Sequence, residues 1–205
     1  MKNKRQIIGN TLLAIGIVLL IGAGVLFVFN MAESNRQASD SLEITTRLKS
    51  MIVPDGSTET SDSAGESTKT SAPEVQKTVE IDGALYDGIL SIPAIELEMA
   101  VYDTWNDNYL RKSICRYYGS TYTNDLVIAG HNYRSGFGKL KKLNAGDEVF
   151  FTGVDGTVTS YVVKQVEVLD GTDISGMLSG GWDLSLYTCT YGGEARLTVR
   201  CEARQ

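Results

Sequence analysis

The chain has few of the residues on which enzyme active sites most often depend. Among its 205 residues there are one histidine, three cysteines, three prolines and two tryptophans. Chemistry that needs an imidazole must therefore use His131. With one histidine and three scattered cysteines, no cluster of metal ligands is evident, and we expect no metal or other cofactor. Three cysteines can form at most one disulfide, so at least one thiol is free.

Positive charge is also scarce. The 19 Lys and Arg residues are outnumbered by 25 Asp and Glu residues, which gives a net charge of -6. No run of the sequence is strongly basic, whereas nucleic acid is bound mainly by clustered Lys and Arg. The sequence therefore gives no reason to expect nucleic acid as a partner.

One long apolar run lies near the N-terminus. Residues 7–29 carry no charge, and as a helix these 23 residues would extend about 35 Å, more than the roughly 30 Å hydrocarbon core of a membrane. A cleaved signal peptide would have a shorter apolar region followed by a small-residue cleavage site. Lys2, Lys4 and Arg5 precede the run and favour a cytoplasmic N-terminus. We therefore predict that residues 1–30 are a cytoplasmic tip and a transmembrane signal anchor, with the rest of the chain outside the cell.

The segment after the anchor has the composition of a linker. Between residues 55 and 72, nine of 18 residues are Ser or Thr, and none is Leu, Ile, Val or aromatic. Such a segment cannot bury enough apolar surface to offset the entropy lost on ordering. We therefore predict a flexible extracellular linker, or stalk, over residues 31–78. A short helix over residues 39–51 would be a membrane-proximal spacer or, alternatively, a lid or a self-association element.

The remaining residues, 79–205, have the pattern of an all-β domain. Short apolar runs broken by Gly, Asn and Asp predict seven strands, and Val-Asp-Gly-Thr at 154–157 is a hairpin signal. The predicted strands are 86–92, 97–102, 126–129, 148–152, 158–169, 184–189 and 196–201. Seven or so strands in this length indicate a closed or nearly closed barrel, because closure removes exposed sheet edges. Residues 109–118 are expected to contain a helix with Cys115 on it.

The three cysteines differ in the positions that the sequence pattern predicts for them. Side chains alternate along the predicted strand 184–189, so Cys189 lies on the face opposite the leucines. Cys201 shares the apolar face of its own strand and is interpreted as a core residue. An inert cysteine is expected among apolar side chains. We therefore predict Cys189 as the nucleophile and Cys115 and Cys201 as structural thiols, with a bridge between these two left open.

Two further residues complete a set with Cys189. A hairpin closed by the loop after Cys189 would bring Arg196 close to opposite it. Arg200 would lie roughly 13 Å further along the strand, so geometry favours Arg196. The alternative for either arginine is a solvated strand face. His131 follows the predicted strand 126–129 and opens a glycine-containing loop, which is a common place for functional residues.

A thiol, an imidazole and a guanidinium together can carry out acyl transfer. A thiolate is the competent nucleophile, an imidazolium can protonate a leaving amine, and a guanidinium can stabilise an oxyanion. No residue that orients the histidine can be identified, although Asn132 or a carboxylate could serve. His131 and Cys189 are 58 residues apart in sequence, so only the fold can bring them together.

These segments resemble the sortase family. Sortases carry a Thr-Leu-x-Thr-Cys motif, and residues 185–189 read Ser-Leu-Tyr-Thr-Cys, with serine in place of the first threonine. Residues 196–200, Arg-Leu-Thr-Val-Arg, match the downstream arginine pattern of the family, and a histidine lies one strand-loop unit earlier. Residues 88–93 and 97–102 resemble the first strands of sortase domains. The resemblance covers about residues 79–205 and identifies them as the catalytic domain.

The resemblance implies a closed eight-stranded β-barrel with short helices and a cysteine transpeptidase activity. Sortases cleave a signal similar to Leu-Pro-x-Thr-Gly after the threonine, form a thioacyl enzyme, and pass the protein to an amine of a cell-wall precursor or of a pilin. By this analogy His131, Cys189 and Arg196 are the catalytic residues, in a Gram-positive cell membrane. Thr188 would contact the substrate or the oxyanion, although its place in the strand equally allows simple packing beside the leucines.

The resemblance leaves the subclass and two alternative functions open. Pilin-polymerising sortases often carry a lid with an Asp-Pro-aromatic motif, and none of the three prolines is followed by an aromatic residue. A single N-terminal anchor without a lid is more similar to housekeeping or class B/D sortases. Asp103, Asp107 and Glu167 are too scattered to predict the calcium site of some family members. A cysteine hydrolase on the same scaffold, or an inactive membrane-tethered binding protein, would also fit.

Overall fold

A computed structural model describes residues 2–52 and 76–204. It contains two compact units, Met1–Arg36 and Gln37–Gln205. The first unit is the N-terminal part of a single helix, α1 (Lys2–Met51). Within the described residues, α1 is the one helix that is long and apolar enough to cross a membrane, and none of its most apolar stretch is buried. This is compatible with the predicted membrane anchor.

The second unit is built around a β-barrel. Its strands are β1 (Val79–Ile81), β2 (Ala84–Ile92), β3 (Leu97–Tyr102), β4 (Ile114–Tyr118), β5 (Leu126–Gly130), β6 (Glu148–Gly153), β7 (Val158–Asp170), β8 (Leu184–Cys189) and β9 (Ala195–Ala203). The order of hydrogen-bonded strands in the sheet is β1-β2-β3-β4-β5-β8-β9-β7-β6, and β6 also pairs with β2. This pairing closes β2 to β9 into an eight-stranded barrel, with β1 as an extension paired to β2. The predicted closed barrel is confirmed.

The short helices lie in the connections between strands. They are α2 (Asp107–Leu110), α3 (Ile174–Leu178), and two 3-10 helices over Pro93–Ile95 and Phe137–Lys142. The helix expected over residues 109–118 is largely wrong, because α2 ends at Leu110 and Cys115 lies in β4. This strand has only two fully buried apolar residues before Arg116, so its sequence signal was weak. It pairs with both β3 and β5 and is therefore held by its neighbours.

Apolar side chains form two clusters, one on each face of the sheet. The larger cluster fills the barrel and includes Leu184, Leu186 and Cys201. The other covers the outer face and includes Cys115 and Tyr187. Cys115 and Cys201 are free thiols, each fully buried, so they form no bridge. Burial raises the pKa of each thiol to about 12, which leaves very little reactive thiolate at neutral pH.

The C-terminal part of α1 belongs to the barrel unit. Gln37, Ser41, Thr45 and Leu48 lie three or four residues apart, which places them on one face of the helix. All four side chains are buried. The Ser41 and Ser113 hydroxyl oxygens lie 3.4 Å apart. This face therefore packs on the barrel, although three of its four residues are polar.

The linker predicted over residues 31–78 differs from the structure in this part. Residues 37–51 are helical and folded against the barrel, where Thr45 Oγ1 accepts a hydrogen bond from Ala100 N at 2.9 Å. The short helix expected over residues 39–51 is present as the C-terminal part of α1. The sequence did not indicate that it packs on the barrel, because apolar periodicity cannot reveal a buried face that is mostly polar. The Ser/Thr-rich part of the predicted linker, residues 53–75, lies outside the described residues.

Candidate active site

The register of β8 and β9 sets two of the candidate residues opposite each other. Cys189, the last residue of β8, is the direct antiparallel partner of Arg196. The connecting loop is closed by a hydrogen bond from Thr190 N to Ala195 O at 2.9 Å. Gly192 and Gly193 both have positive φ values, which glycine adopts without a steric penalty. The hairpin therefore places Cys189 and Arg196 side by side at one end of the barrel.

The parallel pairing of β5 with β8 brings the third candidate residue to the same place. Gly130, the last residue of β5, is the partner of Thr188. His131 follows Gly130 and Cys189 follows Thr188, so the two residues stand at neighbouring strand ends. His131, Cys189 and Arg196 are all partly exposed. The fold therefore brings together three residues that lie up to 65 positions apart in sequence, from His131 to Arg196.

The loop after His131 is tightly packed on the barrel. A Cβ on Gly130 would lie 2.6 Å from the ring of Phe137, so only glycine fits directly before the histidine. Tyr133 O accepts hydrogen bonds from Gly136 N and Gly138 N, both at 3.0 Å. These contacts fix the backbone on both sides of the histidine. The rings of His131 and Tyr133 meet edge to face at 5.1 Å between centroids.

The guanidinium of Arg196 is held by the carbonyl groups of the adjacent loop. Its Nη1 donates to Gly193 O at 2.8 Å and to Ala195 O at 3.1 Å. A Cβ on Gly171 would lie 3.3 Å from the same nitrogen, and 2.6 Å from Glu194 O. A guanidinium has five N–H donors in a fixed plane. The bonds through Nη1 therefore orient Arg196 and leave other donors available for an anion.

Cys189 opens onto a cleft of about 210 Å³ at the mouth of the barrel. Its lining includes Asn132, Lys141, Thr188, Tyr191 and Leu197. Lys141 and Tyr191 were not predicted as site residues. Tyr191 comes two positions after Cys189, so its closeness to the Thr-Cys pair in sequence could have predicted it. Nothing in the sequence indicates Lys141, which lies on the 3-10 helix after the His131 loop.

Thr188 has an unusual environment within the cleft. Its side chain is 2% exposed, and its Oγ1 has no hydrogen-bond partner among the residues that the structure describes. A buried hydroxyl without a partner costs about 1–3 kcal/mol. Alternation puts Thr188 on the leucine face of β8, and at the strand end that face opens into the cleft. Packing beside the leucines and facing a ligand are therefore compatible for Thr188.

Arg200 has a structural environment and lies apart from the thiol. Its side chain is 2% exposed, so the alternative of a solvated strand face is wrong for this residue. The guanidinium donates to Glu167 Oε1 at 2.7 Å, to Ser185 Oγ at 2.8 Å, and to the α3 carbonyls of Met177 at 2.9 Å and Gly176 at 2.6 Å. Arg200 thus ties α3 to the outer face of the barrel.

Metal binding has no visible basis in the described part of the chain. Within residues 2–52 and 76–204, no group of three or more His, Cys, Asp or Glu side chains is placed to hold a metal ion. Glu167, one of the acidic residues considered for calcium, is paired with Arg200.

Comparison with known proteins assigns the fold and the family. A sortase-domain family model matches residues 90–204, more than half of the chain. No curated protein matches the chain in sequence. Among solved structures, the chain is similar to sortase C of Streptococcus pneumoniae, with 27% identity, a TM-score of 0.52, and coverage of 58% of this chain and 69% of that chain.

Two other sortases share the fold at lower identity. Sortase A of Corynebacterium diphtheriae is 23% identical, with a TM-score of 0.53 over 60% of this chain and 62% of that chain. A sortase D5 transpeptidase of Clostridium perfringens is 19% identical, with a TM-score of 0.51 over 58% of this chain and 79% of that chain. The three relatives carry different class names and do not decide the subclass. Since the family model matches more than half of the chain, and the matched residues 90–204 include His131, Cys189 and Arg196, the chain belongs to the sortase family.

Proposed function

We propose that this chain is a cysteine transpeptidase that cleaves an LPxTG-like sorting signal of secreted surface proteins and transfers the protein to an amine. The proposal rests on strand register. Cys189 pairs with Arg196. Gly130 pairs with Thr188, so His131 and Cys189, the next residue of each segment, lie at neighbouring strand ends. A nucleophile, a proton carrier and a fixed cation at neighbouring strand ends are the groups that acyl transfer needs.

In the first half-reaction, the Cys189 thiolate attacks the carbonyl carbon between the threonine and the glycine of the signal. The C–S bond forms, and the oxygen gains negative charge that Arg196 stabilises. His131, as the imidazolium, gives its proton to the glycine nitrogen when the C–N bond breaks. The product is a thioester between Cys189 and the threonine carbonyl, with the glycine fragment released.

In the second half-reaction, an amine attacks the thioester carbonyl and Cys189 leaves as the thiolate. The attacking nitrogen loses a proton to the neutral His131, which restores the imidazolium. The acceptor amine belongs to a peptidoglycan precursor or to a pilin lysine. Both are outside a Gram-positive cell, so the α1 anchor would hold the catalytic domain on the outer side of the membrane, with the N-terminus cytoplasmic.

The proposal is tested with the full-length chain in detergent micelles, incubated with an LPxTG peptide library and with glycine or diaminopimelate as the amine. Mass spectrometry is expected to find a thioacyl adduct on Cys189 and an amine-ligated peptide. An adduct that yields only hydrolysed peptide would replace the transpeptidase with a cysteine hydrolase. The absence of any adduct, together with a Cys189 that resists a small alkylating reagent, would favour an inactive binding protein.

The unpartnered hydroxyl of Thr188 supports a role for this residue in substrate binding. Replacing it with valine keeps the shape of the side chain and removes only the hydroxyl. We expect the free energy of unfolding to stay the same or to rise by about 1 kcal/mol, because a buried unpaired group is lost. We expect kcat/KM to fall about tenfold, the worth of one hydrogen bond to the substrate. A valine variant with the kcat/KM of the parent would mean that Thr188 only packs.

A further inference from the structure

Gln37 is a buried polar residue between the barrel and the loop that carries His131. It lies on α1 and is 1% exposed. Its Nε2 donates to Leu110 O, at the end of α2, at 3.4 Å, and its Oε1 accepts from Ser135 Oγ at 3.2 Å. A Cβ on Gly136 would lie 3.1 Å from the same Oε1. The amide of Gln37 is therefore fitted against the loop at two consecutive residues.

The loop in question connects His131 to the 3-10 helix over Phe137–Lys142. Ser135 is four residues after His131, and Gly136 N is bonded to Tyr133 O within the same loop. On its barrel side the loop is held by the packing of Phe137 against Gly130. Gln37 provides a contact on another side, from a residue 98 positions away from Ser135 in sequence. Gln37 therefore links the His131 loop to a helix outside the barrel.

The position of Gln37 is itself set by other contacts of α1. One turn further along, Ser41 lies against Ser113, and two turns further along Thr45 Oγ1 accepts from Ala100 N at 2.9 Å. Leu48 is fully buried in the outer cluster. The hydrogen-bond partners of Ser41 and Thr45 lie just before β4 and in β3, outside the His131 loop. The helix is therefore attached independently, and Gln37 extends this attachment to the loop.

We propose that Gln37 is a positioning residue for catalysis: its amide holds the 132–136 loop so that His131 stays beside Cys189. The inference rests on the proposed function only for its kinetic part. Gln37 is not one of the residues that line the cleft of Cys189, so it acts through Ser135 and Gly136. The juxtamembrane end of α1 is then a functional part of the catalytic domain.

The test uses the full-length chain in detergent micelles with four variants. Gln37→Met keeps an unbranched side chain of similar size and removes both hydrogen bonds. Ser135→Ala removes the partner in the loop, and the double variant combines the two. Thr45→Val is the matched control, because it removes a buried hydrogen bond of the same helix to β3, away from the loop. For each variant we measure kcat, KM, the thermal midpoint and the rate of Cys189 alkylation by iodoacetamide.

We expect Gln37→Met to lower kcat by about 10- to 100-fold, since small misplacements of a catalytic group have effects of this size. KM should change by less than about twofold, because no substrate contact is removed. The double variant should lose no more than the stronger single variant, since both act through one contact. Alkylation of Cys189 should be slower in Gln37→Met and Ser135→Ala than in the parent, and Thr45→Val should match the parent in kcat and in alkylation.

Two results would overturn the proposal. One is a kcat of Gln37→Met that falls no further than that of Thr45→Val at a comparable loss of thermal stability. The other is additive losses from Gln37→Met and Ser135→Ala, which would mean that they act independently. If the parent forms no transpeptidation product, the proposed function fails, and the positioning role is then judged from the alkylation rates of Cys189 alone. Unchanged rates in Gln37→Met and Ser135→Ala reject the positioning role. Slower rates support it.

Discussion

Replacing Cys189 with alanine is expected to abolish the thioacyl adduct and to lower kcat/KM by about 10⁴- to 10⁶-fold. The other groups of the site cannot supply a nucleophile, and removal of a nucleophile in other covalent enzymes has effects of this order. Cys189 is partly exposed on the cleft, so its replacement leaves no cavity in the core. The variant should therefore keep the thermal midpoint of the parent, which separates loss of chemistry from loss of fold.

The other two cysteines provide the matched controls. Cys115 and Cys201 are fully buried on opposite faces of the sheet, and burial raises the pKa of each to about 12. Cys115→Ala and Cys201→Ala should lower the thermal midpoint, because each removes buried volume, and should retain the adduct on Cys189. Adduct formation that persists in Cys189→Ala, or that disappears in a folded Cys201→Ala, would show that the nucleophile has been assigned to the wrong residue.

The pairing of Cys189 with Arg196 could be predicted because two local rules govern it. Alternation along a strand gives the face of each side chain, and a short glycine-containing loop gives the partner in a hairpin. The place of His131 does not follow from such rules. His131 follows β5, which pairs with β8 in parallel, and parallel pairing connects distant segments without a turn signal between them. In the sequence, the histidine was linked to the thiol because it is the one imidazole in the chain and because of the resemblance to a family, and no rule of strand geometry linked them.

Arg200 and the buried face of α1 could not be predicted for a different reason. In both places a polar side chain is buried because backbone carbonyl or hydroxyl groups are there to pair with it. Alternation correctly put Arg200 on the face of β9 opposite the apolar residues, but α3 covers that face and supplies two carbonyl acceptors. Gln37 is buried in the same way between α2 and the His131 loop. Hydrophobic periodicity predicts which residues form an apolar core, but it does not predict such buried polar contacts.

Replacing Arg200, whose guanidinium is buried, is expected to lower the free energy of unfolding strongly. Arg200→Met fills a similar volume but leaves the carbonyls of Gly176 and Met177 and the hydroxyl of Ser185 without their donor. Breaking a buried ion pair and its hydrogen bonds costs about 3–5 kcal/mol of unfolding free energy. Because the Glu167 side chain is 27% exposed, water can solvate it in the variant, and we expect a loss near 3 kcal/mol. Urea unfolding followed by tryptophan fluorescence measures it, since Trp182 lies between α3 and β8.

Arg204 offers a matched control just beyond β9. It pairs with Glu148, and both side chains are about half exposed. Exposed pairs contribute about 0–1 kcal/mol, because water and salt screen them, so Arg204→Met should leave the urea midpoint nearly unchanged. An equal shift in the two variants would contradict the structural role of Arg200.

Arg200→Lys separates the charge of Arg200 from its hydrogen-bond geometry. A lysine keeps the positive charge near Glu167, but a single ammonium group on a flexible stem cannot reach Glu167, Ser185 and both α3 carbonyls together. If the four hydrogen bonds of the guanidinium stabilise the fold together, the lysine variant should recover less than half of the stability lost in Arg200→Met. Ser185 then has a clear physical role, because its hydroxyl accepts one of these bonds at 2.8 Å. Either hydroxyl residue can provide that acceptor, which explains why serine is compatible with this fold where the sortase motif has threonine.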